Sequence, residues 1–230
     1  MGGAVSGVVG EIVDPQVFDP TVRYNREEAG FRALVAEIGQ RLLQPRQPAT
    51  APLLVGVSGP GGSGKTTLTY SLADYFAEEY FGHEIPVVSA DDFFPKEGDD
   101  QLRHTADWDN YDRYAIRTRV MLPLLNGHRA TYPLRNWRNG ESQGVRQIKP
   151  TVGLVLMEGV GLFHPDTRGY FDYKVWRWLP LAECMENGIR RMGEETRDDW
   201  QDVWTPNDQA FVDTHNPAAC ADFVHDTPFL

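Results

Sequence analysis

The run Gly59-Pro60-Gly61-Gly62-Ser63-Gly64-Lys65-Thr66 satisfies the spacing G-x-x-x-x-G-K-[ST] at every defined position, with Thr67 directly after it. The chemistry of such a run is the holding of phosphate. Glycine permits positive φ and lets backbone N–H groups approach an anion with no side chain between them. At the start of a helix those amides form a cradle for oxyanions. Lys65 adds a positive charge for the β- and γ-phosphates, and the Thr66 hydroxyl suits Mg²⁺. The context agrees: the apolar run Leu53 to Val57 precedes the loop, and Leu68, Leu72 and Phe76 follow at helical spacing. Strand, loop and helix together predict that a nucleoside triphosphate, with ATP as the expected cofactor beside Mg²⁺, seats its phosphates here. Kinases, switches and mechanical ATPases all use such a loop, so the reaction must be read from other residues.

Carboxylates come next. Asp91 and Asp92, in Ser89-Ala90-Asp91-Asp92-Phe93-Phe94, follow a second apolar run, Ile85 to Ser89. A carboxylate at the C-terminal end of a strand beside the loop strand points into the crevice where ligands bind. There it can accept the proton of a hydroxyl attacking the γ-phosphate. Paired aspartates at a strand end also make polar turns and helix caps, and the bare residues leave both roles open. Glu158 closes a third apolar run, Val152 to Met157, where a Walker B acid belongs, and a solvated strand end is the alternative.

The phosphate loop, the Asp91-Asp92-Phe93-Phe94 stretch and Met157-Glu158-Gly159-Val160 together resemble the uridine kinase / phosphoribulokinase family of P-loop kinases. The likeness runs from about residue 53 to about residue 226. Asp107-Trp108-Asp109-Asn110-Tyr111-Asp112 is similar to the family's Asn-Phe-Asp-His-Pro-Asp stretch. Arg190-Arg191 and Arg197-Asp198 resemble its lid, and Trp204 with Pro206, then Pro217 and Ala221-Asp222-Phe223-Val224, resemble its C-terminal end. The resemblance implies that Asp91 is the catalytic base, ahead of Asp92. It implies that Asp109 holds acceptor hydroxyls, that Trp108 stacks beside the acceptor, and that Glu158 sits near Mg²⁺ through water. Arg191 and Arg197 correspond to lid arginines that close over the triphosphate and stabilise charge in the transition state.

One stretch departs from the family. Tyr132-Pro133-Leu134-Arg135-Asn136-Trp137 stands where uridine kinases carry a motif resembling Pro-Val-Tyr-Asp-Phe followed by a His. Trp137 replaces the Phe and Arg135 the base-contacting Tyr. No His lies between His128 and His164. A lost polar partner changes specificity by orders of magnitude; Arg135 can instead pair with an anionic acceptor such as a carboxylate or phosphate, and a simply exposed side chain is the other reading. The expected activity is transfer of the γ-phosphoryl group of ATP to a hydroxyl of a uridine- or cytidine-like nucleoside. The alternatives are a non-nucleoside alcohol (pantothenate, a sugar or an anionic sugar-like acceptor) and, further off, a nucleotide-hydrolysing switch. No Asn-Lys-x-Asp motif is present to read guanine.

Elements must position these groups. Strands are expected at Leu53 to Val57, Ile85 to Ser89, Val152 to Met157, Lys174 to Leu179 and Asp222 to His225. Helices are expected after Asn25, after Lys65, over Asp112 to Leu122 and over Pro180 to Arg191. The alternation predicts an α/β fold, a P-loop three-layer sandwich with a parallel sheet of about five strands, helices on both faces and a small lid. Residues 1–50 are expected as an N-terminal extension with one helix, and 51–230 as the kinase domain. The chain has 230 residues, 41% hydrophobic and 24% charged, with a formal net charge of -11. Such an acidic surface repels phosphate-rich partners, so neither nucleic acid nor an anionic membrane is expected. Two cysteines without metal-ligand spacing, no signal peptide and no membrane-length apolar run predict a cytoplasmic protein. A homo-oligomer is left open.

Overall fold

A computed structural model describes residues 22–94, 108–136 and 141–227. The described residues open with α1 (Ala29–Leu42), β1 (Leu53–Ser58), α2 (Lys65–Phe76) and β2 (Val87–Ser89). Then come α3 (Arg113–Ala115), a wider π-type stretch Ile116–Met121, and α4 (Leu122–Leu125). A hairpin follows, β3 (Ala130–Arg135) and β4 (Ser142–Ile148), and then β5 (Leu154–Gly159), α5 (Pro165–Arg168) and β6 (Tyr173–Arg177). The last part holds α6 (Leu181–Met192), α7 (Arg197–Asp199), a π-type stretch Trp200–Trp204, α8 (Thr205–His215), α9 (Pro217–Cys220) and β7 (Phe223–His225).

Five strands form one sheet in the order β2-β5-β1-β6-β7, and every pairing in it is parallel. Strand alternation sorts β1 between two cores. Leu53, Val55 and Val57 pack with α1 and α2, through Phe31, Leu34, Ile38, Leu68, Leu72 and Phe76. Leu54 faces the other side, where Met157 and Trp176 meet Ile116, Phe163, Trp200 and Phe211. Side chains one residue apart leave opposite faces of a strand, so a fully buried strand needs a helical layer on each side. The α/β layering expected from the alternating elements is therefore the observed architecture.

Three details differ from the sequence expectations. Glu28, rather than Asn25, caps α1: its carboxylate accepts the N–H groups of Gly30 (2.8 Å) and Phe31 (2.7 Å). Asn25 accepts the Glu27 N–H at 3.0 Å and closes the preceding turn. The β3–β4 hairpin has no counterpart in the expected elements. Pro133 demotes β3 as a strand candidate, yet its partner Val145 faces it across an antiparallel pair. Residues 194–215, unassigned from the sequence, form turns and helices ending in α8. The helix expected within the N-terminal extension contributes its apolar face to the same core as β1 and α2. Among the described residues no helix is long and apolar enough to cross a membrane.

Candidate active site

The strands β1, β2 and β5 run parallel and so end on one side of the five-stranded sheet. After Ser58 the chain enters the phosphate loop, and Gly64, at φ 85°, turns it into α2. No side chain caps the α2 N-terminus, so its first amides are left for an oxyanion. Gly62, at φ 73°, lies against α6: a Cβ there would stand 2.0 Å from the Cys184 carbonyl oxygen. The Asn187 side-chain amide donates to the Gly62 carbonyl at 3.3 Å. The loop's glycines thus serve close packing as well as anion approach.

Glu158, the penultimate residue of β5, lies beside Ser89 of β2, its register partner. Its carboxylate accepts the Thr66 hydroxyl at 3.1 Å on Oε2 and the Ser89 hydroxyl at 2.6 Å on Oε1. It is 4% exposed. Burial raises its pKa, Lys65 opposes that rise, and Asp91 adds to it. A hydroxyl and a carboxylate are the hard oxygen donors Mg²⁺ takes, with water and phosphate oxygens completing the shell. The donor set fits that ion. Ser89, absent from the sequence-based candidates, positions the carboxylate.

Asp91 lies one residue past Ala90 in a tight turn that follows β2. The Ser89 hydroxyl accepts the Asp91 N–H at 3.3 Å, and the Tyr111 hydroxyl donates to Asp91 Oδ1 at 2.7 Å. Burial, then the Asp91 charge, hold the Tyr111 phenol well above its ordinary pKa, so it remains a donor at neutral pH. Tyr111 stands where the family stretch has Pro, and its spacing alone carried no signal. Asp92 is half-buried beside Asp91.

The remaining candidates fall in several places. Trp108 is buried and has φ 53°; its indole N–H donates to Asp208 Oδ1 at 3.2 Å. Asp109 has a side chain 71% exposed and accepts from Arg113 Nη1 at 3.2 Å. Arg135 is half-buried at the end of β3, beside a bulge in the hairpin. The hairpin is held against the Asp91 turn by Phe93 stacking on Tyr132 at 5.2 Å, and Arg146 donates to the Val87 carbonyl at 2.8 Å. Trp137 lies outside the described residues. Arg191, at the end of α6, is within electrostatic reach of both Asp91 and Glu158. Its side chain meets solvent, yet the protein around it desolvates the guanidinium and lowers its pKa, against the pull of the two carboxylates. Arg197 instead binds Glu194 and, at 3.0 Å, Glu186 on the surface.

The sequence matches no family model and no curated protein. The structure is similar to a candidate fructose transport system kinase from Silicibacter sp. TM1040, with a TM-score of 0.68 at 23% identity over 84% of this chain and 97% of that one. It is also similar to a candidate uridine kinase from Bacillus stearothermophilus, with a TM-score of 0.56 at 20% identity over 85% of this chain and 98% of that one. The chain therefore has the fold of the P-loop kinases of uridine kinase / phosphoribulokinase type.

Proposed function

We propose that this protein is an ATP-dependent kinase that moves the γ-phosphoryl group to a hydroxyl of a small molecule. The observation that carries the proposal is the pairing of two carboxylates at adjacent strand ends. Glu158 is bonded to the loop's Thr66, and Asp91 is held by Tyr111 beside it. A nucleotide switch has no use for the second of these. In the proposed reaction the loop amides and Lys65 hold the triphosphate, and Thr66 and Glu158 hold Mg²⁺, which would offset charge on the phosphates. Asp91 orients the acceptor hydroxyl and takes its proton as the phosphoryl group is transferred. Arg191, facing both carboxylates, supplies positive charge over the transferring group.

A uridine- or cytidine-like nucleoside is the first acceptor class, supported by the resemblance in the Asp91 and Glu158 stretches. An anionic sugar-like acceptor is the second, favoured by Arg135 and by buried Arg113, which lines a narrow hollow with Tyr111, Ala90 and Gly161. An ATP-consumption screen over nucleosides, pantothenate, sugars and sugar phosphates, with mass spectrometry of the product, tests the proposal. A product heavier than one acceptor by a phosphoryl group supports it. ATP hydrolysis indifferent to every acceptor, or none at all, counts against it. Arg135→Tyr then sorts the acceptor classes. It is expected to preserve or improve phosphorylation of a nucleoside and to raise the KM of an anionic acceptor about ten-fold or more.

A further inference from the structure

Asp208, on α8, is a buried carboxylate that no part of the proposed reaction employs; it is 5% exposed. Its two oxygens accept from two separate places. Oδ2 takes the N–H of Gly61 in the phosphate loop at 2.7 Å, and Oδ1 takes the indole N–H of Trp108 at 3.2 Å. Loop and acceptor-side segment have no sequence proximity, so this one carboxyl joins them. The Trp108 backbone lies at φ 53°, a region that a bulky residue occupies only when its surroundings hold it there. The ring is also fixed by its neighbours: a Cβ on Gly161 would stand 3.0 Å from Trp108 Cβ, and Tyr111 packs edge-on with centroids 6.1 Å apart.

We propose that Asp208 is a positioning residue that clamps the phosphate loop to the Trp108 segment, so that a nucleotide seated in the loop is felt on the acceptor side. The naming of the two sides rests on the kinase proposal; the clamp itself is geometry. Both partners are donors, so a carboxylate satisfies both, whereas an asparagine turns an N–H₂ group toward one of them. Among the described residues, the charged and titratable groups that face Asp208 are Lys65 of α2, Cys184 of α6 and Tyr111 beside Trp108. Burial pushes the carboxyl up to about 7, against the pull of Lys65 and of the two hydrogen bonds. Phosphates that share the Lys65 charge weaken that pull. The carboxyl then holds its proton more tightly and its grip on the two donors loosens.

The chain has six tryptophans, so ¹⁵N-labelled full-length protein shows up to six indole resonances, and Trp108→Phe identifies one by its loss. In the wild type that resonance is expected to titrate with a midpoint near 7 and to shift on addition of Mg·ADP. In Asp208→Asn the titration should vanish and the Mg·ADP shift should fall at least about three-fold. With an acceptor in hand, Trp108→Phe and Asp208→Asn should each raise acceptor KM about ten-fold while ATP KM stays within about three-fold. The double variant should be no worse than the worse single one, because one bond is removed twice. Trp108→Phe removes the N–H donor together with part of a buried indole and leaves Asp208 and its bond to Gly61 in place, so it carries the kinetic test even if Asp208→Asn folds poorly. Additive losses, or a Trp108 resonance unmoved by Mg·ADP that calorimetry shows to be bound, overturn the clamp. Failure of Mg·ADP to bind at all overturns the kinase proposal instead, and the proton titration at Trp108 still decides whether the bond to Asp208 exists.

Discussion

Tyr111 donates its hydroxyl proton to Asp91 from a distance of 2.7 Å, across twenty residues of chain and from a fully packed position. In the proposed reaction Asp91 takes a proton from the acceptor hydroxyl, which needs one oxygen held and the other turned to the acceptor. The phenol does the holding.

Two substitutions separate those roles. Asp91→Asn is expected to lower kcat by about two to four decades with ATP affinity little changed, as when a general base alone is removed. Tyr111→Phe keeps the base and frees its orientation, so a smaller loss of about ten-fold is expected. Steady-state kinetics on both variants checks the ranking; Tyr111→Phe falling as far as Asp91→Asn would place the tyrosine itself in the chemistry.

Lys65→Ala should reduce phosphoryl transfer by about two decades or more while thermal unfolding changes far less: in the proposed reaction Lys65 places a charge on the phosphates, and its hydrogen bond to the Pro60 carbonyl is long, at 3.5 Å. Near wild-type turnover would remove the phosphate loop from the mechanism.

The two lid candidates should part company. Arg191 lies under the influence of Asp91 and Glu158, whereas Arg197 is occupied by Glu194 and Glu186. Arg191→Ala is expected to lower kcat about ten-fold or more, and Arg197→Ala by less than about three-fold. Equal losses would mean that Arg197 leaves its surface partners during turnover.

Gly188 is wedged against Trp200: a Cβ there would stand 2.0 Å from the ring. That ring also lies 3.0 Å from the place of a Cβ on Gly61. Gly188→Ala should therefore cost about 1–3 kcal/mol by overpacking and disturb the loop through Trp200. Urea unfolding measures the first effect and nucleotide affinity the second. Wild-type stability in this variant would show that α6 slides past Trp200 at little cost.

His225 is buried at the end of β7, its ring edge-on to Tyr24 at 5.0 Å and Nε2 3.6 Å from Glu28 Oε2. Burial, and then the nearby Arg177, pull its pKa down to about 4, below the unfolded value of about 6.5. The unfolded chain binds the proton more tightly, so the stability owed to neutral His225 is present above about 6.5 and is lost as pH falls toward about 4. Melting temperatures of wild type and His225→Gln across that window should converge at the acid end. Parallel curves would acquit His225 of the acid sensitivity.

What the amino-acid sequence determined by itself was local. The spacing of glycines, Lys65 and Thr66 over 59–66 marks a phosphate loop, and the positive φ of Gly62 and Gly64 is a local demand that the residue type alone meets. The unbroken apolar run Leu53 to Val57 marks a strand buried on both faces, and parallel strands then put Asp91 and Glu158 at the same end of the sheet. The tertiary structure decided the rest. Ser89 on Glu158, Tyr111 on Asp91, and Asp208 on Gly61 and Trp108 are hydrogen bonds between segments 69, 20, 147 and 100 residues apart. A hydrogen bond depends on angle and ångström-scale distance, and no repeat or spacing in the chain encodes either across such separations. The β3–β4 hairpin was hidden for a related reason. Pro133 argues against a strand locally, and only pairing with Val145 and the stacking of Tyr132 on Phe93 make that segment extended.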